Sequence, residues 1–200
     1  MSSASNSLTR EALQAALRES AQAPNGHIPG RVQAAVLVAL YIDAGDLYTV
    51  FTRRRGDLRH HPGEISFPGG RHDDEDGDFG ATALREAEEE IGLPRTAVDL
   101  LGTLSPTPTV ATSYVIHPFV GLIEAGLGWN LSALEVDEVL ELRLCDLRDR
   151  HERRRMLIRG IPYRTDVYAL AGGSVIWGAT ARIASDLLQR VGPLLHGRGR

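Results

Sequence analysis

The stretch that decides the interpretation of this chain runs from residue 67 to residue 93 and reads FPGGRHDDEDGDFGATALREAEEEIGL. Its second half has helical periodicity and predicts a helix over Phe79–Leu93, with apolar residues on one face. Asp78 is placed to cap this helix at its N-terminus, and Gly92 and Pro94 end it. The first half contains a Gly-Gly turn, where the missing side chains let the backbone approach another group closely.

Three carboxylates lie together on this helix. At about 100° per residue, Glu86, Glu89 and Glu90 fall within an arc of roughly 100°, beside the apolar face. Like charges at this spacing repel one another unless a cation neutralises them, and Mg²⁺ and Mn²⁺ take carboxylate oxygens as ligands. Arg85 stands one turn before Glu89 and is placed to orient that carboxylate. From the helix alone, a solvent-facing Glu-rich surface remains the alternative.

Residues 85–93 resemble the end of the signature of the Nudix hydrolase family. That signature closes with Arg-Glu-apolar-any-Glu-Glu-any-Gly-apolar, and this chain reads REAEEEIGL, which matches every fixed position. The first half of the signature is one residue longer here, because Gly70 lies fifteen residues before Arg85 where the family usually has fourteen. Gly77 stands eight residues before Arg85, where the family usually has a Glu.

Upstream residues narrow the resemblance to the coenzyme A pyrophosphatase branch of this family. The branch carries a spaced motif that ends in Phe-Pro-Gly-Gly. The residues of this chain that match it are Thr52, Arg54, Arg59, Gly63, Phe67, Pro68, Gly69 and Gly70. Arg55 departs from the motif, since the branch has Ser or Ala there. The segment IWGATA, residues 176–181, is also similar to the C-terminal segment of the branch.

The resemblance implies a role for each residue of the site. Glu86 and Glu90 would hold Mg²⁺ or Mn²⁺, and Glu89 would be a third ligand or the base that activates water. Arg85 completes the catalytic set. The residues implied in substrate binding are Arg54, Arg59, Gly69 and Gly70. Glu138, from a second acidic cluster, is the candidate for an additional acid, with an ordinary surface acid as the alternative.

Other conspicuous residues have ordinary structural interpretations. We expect the acidic residues 73–76 and Glu88 to be solvated. The arginines at 153–155 are interpreted as solvated rather than as partners of the 3′-phosphate of coenzyme A. Trp177 is expected in the core rather than as a platform for a base. Arg54 and Arg59 have surface salt bridges with the acidic loop as their alternative.

The fold implied by the resemblance is an α/β Nudix-type α/β/α sandwich with a mixed β-sheet. Sequence patterns predict its elements independently. The predicted strands are 31–42, 47–55, 98–104, 114–123, 139–144, 167–170 and 174–177, and the predicted helices are 8–17, 79–93 and 179–191. We expect residues 1–28 to form an N-terminal helix and linker, residues 29–194 the Nudix domain, and residues 195–200 a frayed tail.

Composition limits the classes of protein to which this chain can belong. The chain has 200 residues, of which 42% are hydrophobic, and this suits one domain with a real core. A single cysteine excludes an internal disulfide. The net charge of −4 argues against bulk nucleic-acid binding. With no membrane-spanning stretch or secretory signal apparent, we expect a cytoplasmic protein without membrane or nucleic-acid partners. The oligomeric state is left open.

The function implied is metal-dependent hydrolysis of the diphosphate bond of a small-molecule substrate, coenzyme A or acyl-CoA. The products would be adenosine 3′,5′-bisphosphate and 4′-phosphopantetheine or its acyl derivative. One alternative is the same chemistry on ADP-ribose, a dinucleotide or a nucleoside triphosphate. Alternatives of another class are a catalytically silent nucleotide-binding module and an interaction protein that uses the arginine run.

Overall fold

The computed structural model describes residues 8–18, 31–58, 62–109, 112–158 and 160–195. The helices are α1 Arg10–Arg18, α2 Phe79–Ile91, α3 Leu144–Asp149 and α4 Gly178–Val191. The strands are β1 Val32–Asp43, β2 Asp46–Arg54, β3 Ile65–Ser66, β4 Gly69–Arg71, β5 Asp99–Thr103, β6 Thr107–Pro108, β7 Tyr114–Leu122, β8 Val136–Arg143, β9 His151–Ile158, β10 Ile161–Ala169 and β11 Val175–Ile176. Within these described ranges, no helix is long and apolar enough to cross a membrane.

The main sheet is mixed, as the sequence predicts. Its strands run in the order β3-β2-β1-β7-β5, with β8 beside β2 and β6 beside β7. The pairing of β1 with β7 is parallel, whereas the other pairings in this sheet are antiparallel. A smaller antiparallel sheet is formed by β9, β10 and β11.

Strand β1 separates the two layers of core because its successive side chains point to opposite faces. Ala35 and Leu37 belong to the apolar cluster that contains the buried face of α2. Val36 and Val38 belong to the cluster that contains α4. The sheet is therefore covered by helices on both faces, which confirms the predicted α/β/α sandwich.

One edge of β1 is shared by two strands. Strand β2 pairs with residues 40–43 of β1, and β4 pairs with residues 34–36 farther along the same edge. The opposite edge is occupied by β7 along residues 32–40. This arrangement brings the Gly-Gly turn into the sheet as strand β4, directly beside α2.

The second half of the chain holds the main differences from the predicted elements. Strand β9 and helix α3 were not predicted, and β10 begins at residue 161 rather than 167. Strand β9 carries the arginines 153–155, which are exposed as predicted. Because residues 151–155 are exposed, this part of β9 lacks the apolar alternation that marks a strand, and its backbone pairing with β10 decides its conformation.

The two ends of the described chain pack into the core. Helix α1 confirms the predicted N-terminal helix, and its Leu13 and Leu17 are buried in the cluster around α4. The guanidinium of Arg190 on α4 donates to the Leu17 carbonyl at 3.3 Å. Leu195 is also buried, so a frayed tail that begins at this residue is wrong. The rest of that predicted tail, residues 196–200, lies outside the described residues.

Candidate active site

Helix α2 has the boundaries that its capping residues predict. The Asp78 side chain accepts a hydrogen bond from the backbone N–H of Ala81 at 2.7 Å, which makes Asp78 the N-cap. Gly92 ends the helix in the left-handed conformation, with φ of 68°. Both ends are thus set locally, and the carboxylate face of α2 has one fixed orientation toward the sheet.

Strand β4 lies against two of the three carboxylates on α2. The backbone N–H of Gly69 donates to Oε2 of Glu90 at 3.3 Å, and Glu90 is only 5% exposed. At Gly70, a Cβ atom would overlap the carboxylate of Glu86, so a side chain there would displace that carboxylate from its position. The Gly-Gly turn therefore forms one wall of a pocket for Glu86 and Glu90.

Burial raises the pKa values of both carboxylates. For Glu90, burial and then the nearby charge of Glu86 raise the pKa to about 8, although the Gly69 hydrogen bond and the charge of Arg54 oppose this. For Glu86, burial raises the pKa despite the adjacent Arg85. Two desolvated carboxylates at close range are the donor set that a hard divalent cation would neutralise.

Arg85 forms an ion pair with Asp76, a residue predicted to lie in a solvated loop. That prediction is wrong for Asp76: its side chain is 5% exposed and accepts hydrogen bonds from Nε and Nη2 of Arg85. These bonds hold the pKa of Asp76 well below its usual range. Asp73, Asp74 and Glu75 are exposed, as predicted.

The other side of the Arg85 guanidinium contacts two carboxylates of helix α2, those of Glu89 and Glu86. Its Nη1 lies 3.0 Å from Oε2 of Glu89 and 3.0 Å from Oε1 of Glu86. The Arg85–Glu89 pair confirms the predicted contact across one helical turn. Glu89 is mostly exposed, and Glu88 faces away to pair with Arg95.

The carboxylates of α2 fit a cation held by few protein ligands. In the part of the chain that the structure describes, no three His, Cys, Asp or Glu side chains converge as a ready metal cluster. Glu90 is buried and Glu86 is partly buried beside it, and Arg85 contacts both Glu86 and the more exposed Glu89. Mg²⁺ is typically held in this way, by one or two carboxylates with phosphate oxygens and water completing its shell.

Two acids of the second acidic segment, Glu135 and Glu138, have different surroundings. Glu138 lies opposite Arg53 in the β2–β8 pairing and forms an ion pair with it at 2.8 Å. Glu135, at the turn before β8, is the carboxylate whose charge adds to burial in raising the pKa values of Glu86 and Glu90. Strand register, which the sequence does not reveal, decides between these two acids.

The arginines of the upstream motif differ in surroundings. Arg54 lies near Glu90, and its buried Nε has no hydrogen-bond partner among the described residues. Arg55 forms an ion pair with Asp57 at 2.7 Å and does not line the site. Arg59 lies outside the described residues. Arg54 is thus the described arginine of this motif that is available to an anion.

A cavity of about 570 Å³ opens beside β4, between the sheet and the start of α4. Arg54, Gly69 and Gly70 border it, so strand β4 lies between this cavity and the carboxylate pocket. Trp177 is only partly buried and lines this cavity, which corrects its predicted place in the core. The sequence offered no signal for this cavity, because its walls come from segments far apart in the chain.

The fold and the site together define a class. Residues 31–178, which include every strand of the main sheet and helix α2, match the NUDIX domain family. The chain therefore belongs to the Nudix hydrolase family.

Named relatives agree with this assignment. A Photorhabdus laumondii protein named "Uncharacterized Nudix hydrolase NudL" is 37% identical over 144 residues, which cover 71% of this chain and 76% of that protein. A protein of the same name from Escherichia coli O1:K1 is 36% identical over 170 residues, covering 80% and 83%.

Solved structures show the same fold at low identity. A MutT/nudix family protein from Enterococcus faecalis gives a TM-score of 0.55 at 14% identity, covering 93% of this chain and 75% of that one. A Nudix hydrolase from M. smegmatis, RenU, gives a TM-score of 0.52 at 22% identity, covering 64% and 80%.

Proposed function

We propose that residues 29–194 form a metal-dependent hydrolase that cleaves the diphosphate bond of coenzyme A or acyl-CoA. The products are adenosine 3′,5′-bisphosphate and 4′-phosphopantetheine or its acyl derivative. The observation that carries the hydrolase assignment is the pair of the partly buried Glu86 and the buried Glu90 against the Gly69–Gly70 backbone, with Arg54 beside it. The coenzyme A assignment rests on the upstream motif, whose Arg54 and Gly69–Gly70 border the cavity.

In this proposal each residue of the pocket has its own role. Glu86 and Glu90 hold Mg²⁺ or Mn²⁺, and Arg54 pairs with a phosphate oxygen of the substrate. The cation, when bound, neutralises the diphosphate and makes a water molecule more acidic. The backbone at Gly69 and Gly70 lets the phosphates approach without a side chain in the way.

Proton transfer is assigned to a carboxylate at the rim of the pocket. Glu89 is mostly exposed and is oriented by Arg85, so it can accept a proton from water, or it can serve as a third ligand. Arg85 is itself oriented by Asp76. Glu135 is the second carboxylate near the pair and replaces Glu138 as the candidate for an additional acid.

The alternatives to this function are hydrolysis of a different substrate and a binding module without catalytic activity. The same pocket suits the diphosphate of ADP-ribose, a dinucleotide or a nucleoside triphosphate, and the upstream motif favours coenzyme A among them. A silent binding module has no need of the full set of Arg85 and its neighbouring glutamates, which this chain retains.

A product assay tests the proposal. The full chain is incubated with coenzyme A, ADP-ribose and a nucleoside triphosphate, with Mg²⁺ or Mn²⁺ and with chelator. We expect metal-dependent release of adenosine 3′,5′-bisphosphate from coenzyme A, lost in Glu90→Gln and kept in Glu88→Gln, whose carboxylate faces Arg95. Turnover of another substrate alone would refute the coenzyme A assignment, and no turnover with metal bound would favour the binding module.

A further inference from the structure

The cavity beside β4 lies on the opposite face of the sheet from helix α2. Ala34 and Val36 line it, whereas Ala35, between them in β1, faces the core under α2. Strand β4 separates the two compartments, since Gly70 abuts the Glu86 carboxylate and also borders the cavity. One arm of a ligand whose phosphates lie at the carboxylates would therefore have to pass only this strand to reach the cavity.

The walls of the cavity are mainly apolar. The apolar and aromatic residues that shape it include Ala34, Val36, Phe67, Ile116, Trp177 and Ile183. Hydroxyl groups are spread among them on Thr109, Thr112, Thr165 and Thr180. A hydroxyl can both donate and accept, so this lining suits an apolar chain interrupted by a few amide groups.

The described cavity lining contains three arginines. Two of them stand at one end of the cavity, and the third is hydrogen-bonded to a backbone carbonyl. Arg54 and Arg71 stand at the β4 end, where the phosphates of a substrate would lie. Arg182, on α4, donates to the backbone carbonyl of Pro108. A nucleoside that carries a further phosphate would place that dianion among mainly apolar walls. Arg182 is the cation it would meet there, with one donor already bonded to Pro108, and burying a charge with incomplete pairing is costly.

We propose that this cavity receives the acylated pantetheine arm of the substrate and leaves the nucleotide arm outside, which makes the enzyme selective for acyl-CoA thioesters over free coenzyme A. The proposal rests on the proposed function. The two amides of the arm meet threonine hydroxyls, and the acyl chain contacts the apolar residues. Each added methylene strengthens binding about fourfold, as expected for burial of one CH₂ group, until the chain overfills the space.

The two arms can be tested separately by calorimetry, without turnover. The ligands are acetyl, butyryl and hexanoyl thioesters of 4′-phosphopantetheine, and adenosine 3′,5′-bisphosphate. The variant Ala179→Phe places a large side chain in the cavity from the first turn of α4, and Ala34→Leu narrows it from the sheet. Ala125→Phe, in an exposed turn outside the cavity lining, is the matched control.

We expect affinity for the thioesters to rise with chain length in the wild type. In Ala179→Phe and Ala34→Leu it should fall at least about tenfold, the cost of displacing two or more buried methylenes. Adenosine 3′,5′-bisphosphate should bind all variants alike. Weakened binding of the bisphosphate alone would overturn the proposal, because the cavity would then hold the nucleoside. Unchanged binding of both arms would overturn it as well.

Turnover separates failure of this inference from failure of the proposed function. If wild-type protein does not hydrolyse free coenzyme A or its thioesters with either metal, the proposed function fails. If it hydrolyses them with kcat/KM values that do not depend on acyl length, only the assignment of the cavity fails. A rise in kcat/KM from free coenzyme A to the hexanoyl thioester, lost in Ala179→Phe and kept in Ala125→Phe, supports both.

Discussion

Asp76 and Arg85 form a bidentate ion pair, with Oδ1 of Asp76 2.6 Å from Nε and Oδ2 3.0 Å from Nη2. In the Nudix signature a Glu usually stands where this chain has Gly77. Here a 3₁₀ turn over residues 74–76, followed by Gly77 with φ of 78°, brings the preceding Asp under Arg85. The longer loop thus presents a carboxylate to Arg85 from one residue earlier.

Asp76 should act as a positioning residue. Replacing it with Asn removes the charge that holds Arg85, so Glu89 and Glu86 lose a fixed partner. We expect Asp76→Asn to lower kcat about 10–100-fold, the range typical for residues that orient metal ligands. KM should change little, and the pH profile of kcat should shift because Arg85, which opposes the rise in the pKa of Glu86, is held less firmly. Asp74→Asn, an exposed neighbour, is the control. Equal kinetics in the two variants would contradict this role.

Glu90 should dominate binding of the cation. Its carboxylate is buried beside Glu86, and Gln cannot carry the charge that a divalent ion requires. We expect Glu90→Gln to weaken Mn²⁺ binding and to lower metal-dependent turnover more than about 100-fold. Mn²⁺ affinity is measured by electron paramagnetic resonance of free ion during titration. Glu88→Gln should bind Mn²⁺ as the wild type does, and a matching loss there would argue against the assigned pair.

A side chain at position 70 should disturb the site by displacing Glu86. A methyl group at this position would displace the Glu86 carboxylate or push β4 away from α2. We expect Gly70→Ala to lower kcat/KM about 100-fold, as displacements near 1 Å at a reacting centre do. Gly128→Ala is the control, since a Cβ there meets no atom within 4 Å. Thermal unfolding of both variants shows whether the chain still folds, and full activity in Gly70→Ala would refute the predicted overlap.

The ion pair between Asp186 and Arg190 should stabilise the fold. Arg190 is buried and also donates to carbonyls of Leu17 and Thr103. Removing one partner of such a pair leaves a charge uncompensated, so Asp186→Asn should lower the free energy of unfolding by about 3–5 kcal/mol. Urea denaturation measures this difference. Glu11→Gln, on the exposed side of α1, should leave stability nearly unchanged.

The effect of Asp186 should depend on pH in a definite direction. Burial alone would raise the pKa of Asp186, but hydrogen bonds from Arg190 and from the Ser105 backbone outweigh burial and lower it. Its contribution is therefore complete above the unfolded pKa of about 3.9 and is lost as pH falls through the lower folded value. The stability difference between wild type and Asp186→Asn should shrink below about pH 4. A difference that stays constant down to pH 2 would contradict this.

Helix α2 shows which features of the structure can be predicted from neighbouring residues. Asp78 and Gly92 set the helix ends through contacts within four residues, so the sequence was sufficient to predict them. The face shared by Glu86 and Glu90 follows from helical geometry alone. Contacts between distant segments were not predicted: Asp76 was assigned to solvent, and the ion pair of Glu138 with Arg53 was not foreseen. Their surroundings depend on loop conformation and strand register, which local spacing does not encode.

The sequence by itself determined the helix with its carboxylate face and the buried strand β1, whereas Gly69 and Gly70, predicted as a turn, lie in strand β4. These features rest on interactions between near neighbours and on periodic burial. Only the tertiary structure decided which carboxylate holds Arg85, that Gly70 abuts Glu86, and that a cavity lies between β1 and the start of α4. The physical reason is that each of these contacts joins segments brought together by packing of the whole core, and their energies do not appear in any local stretch of residues.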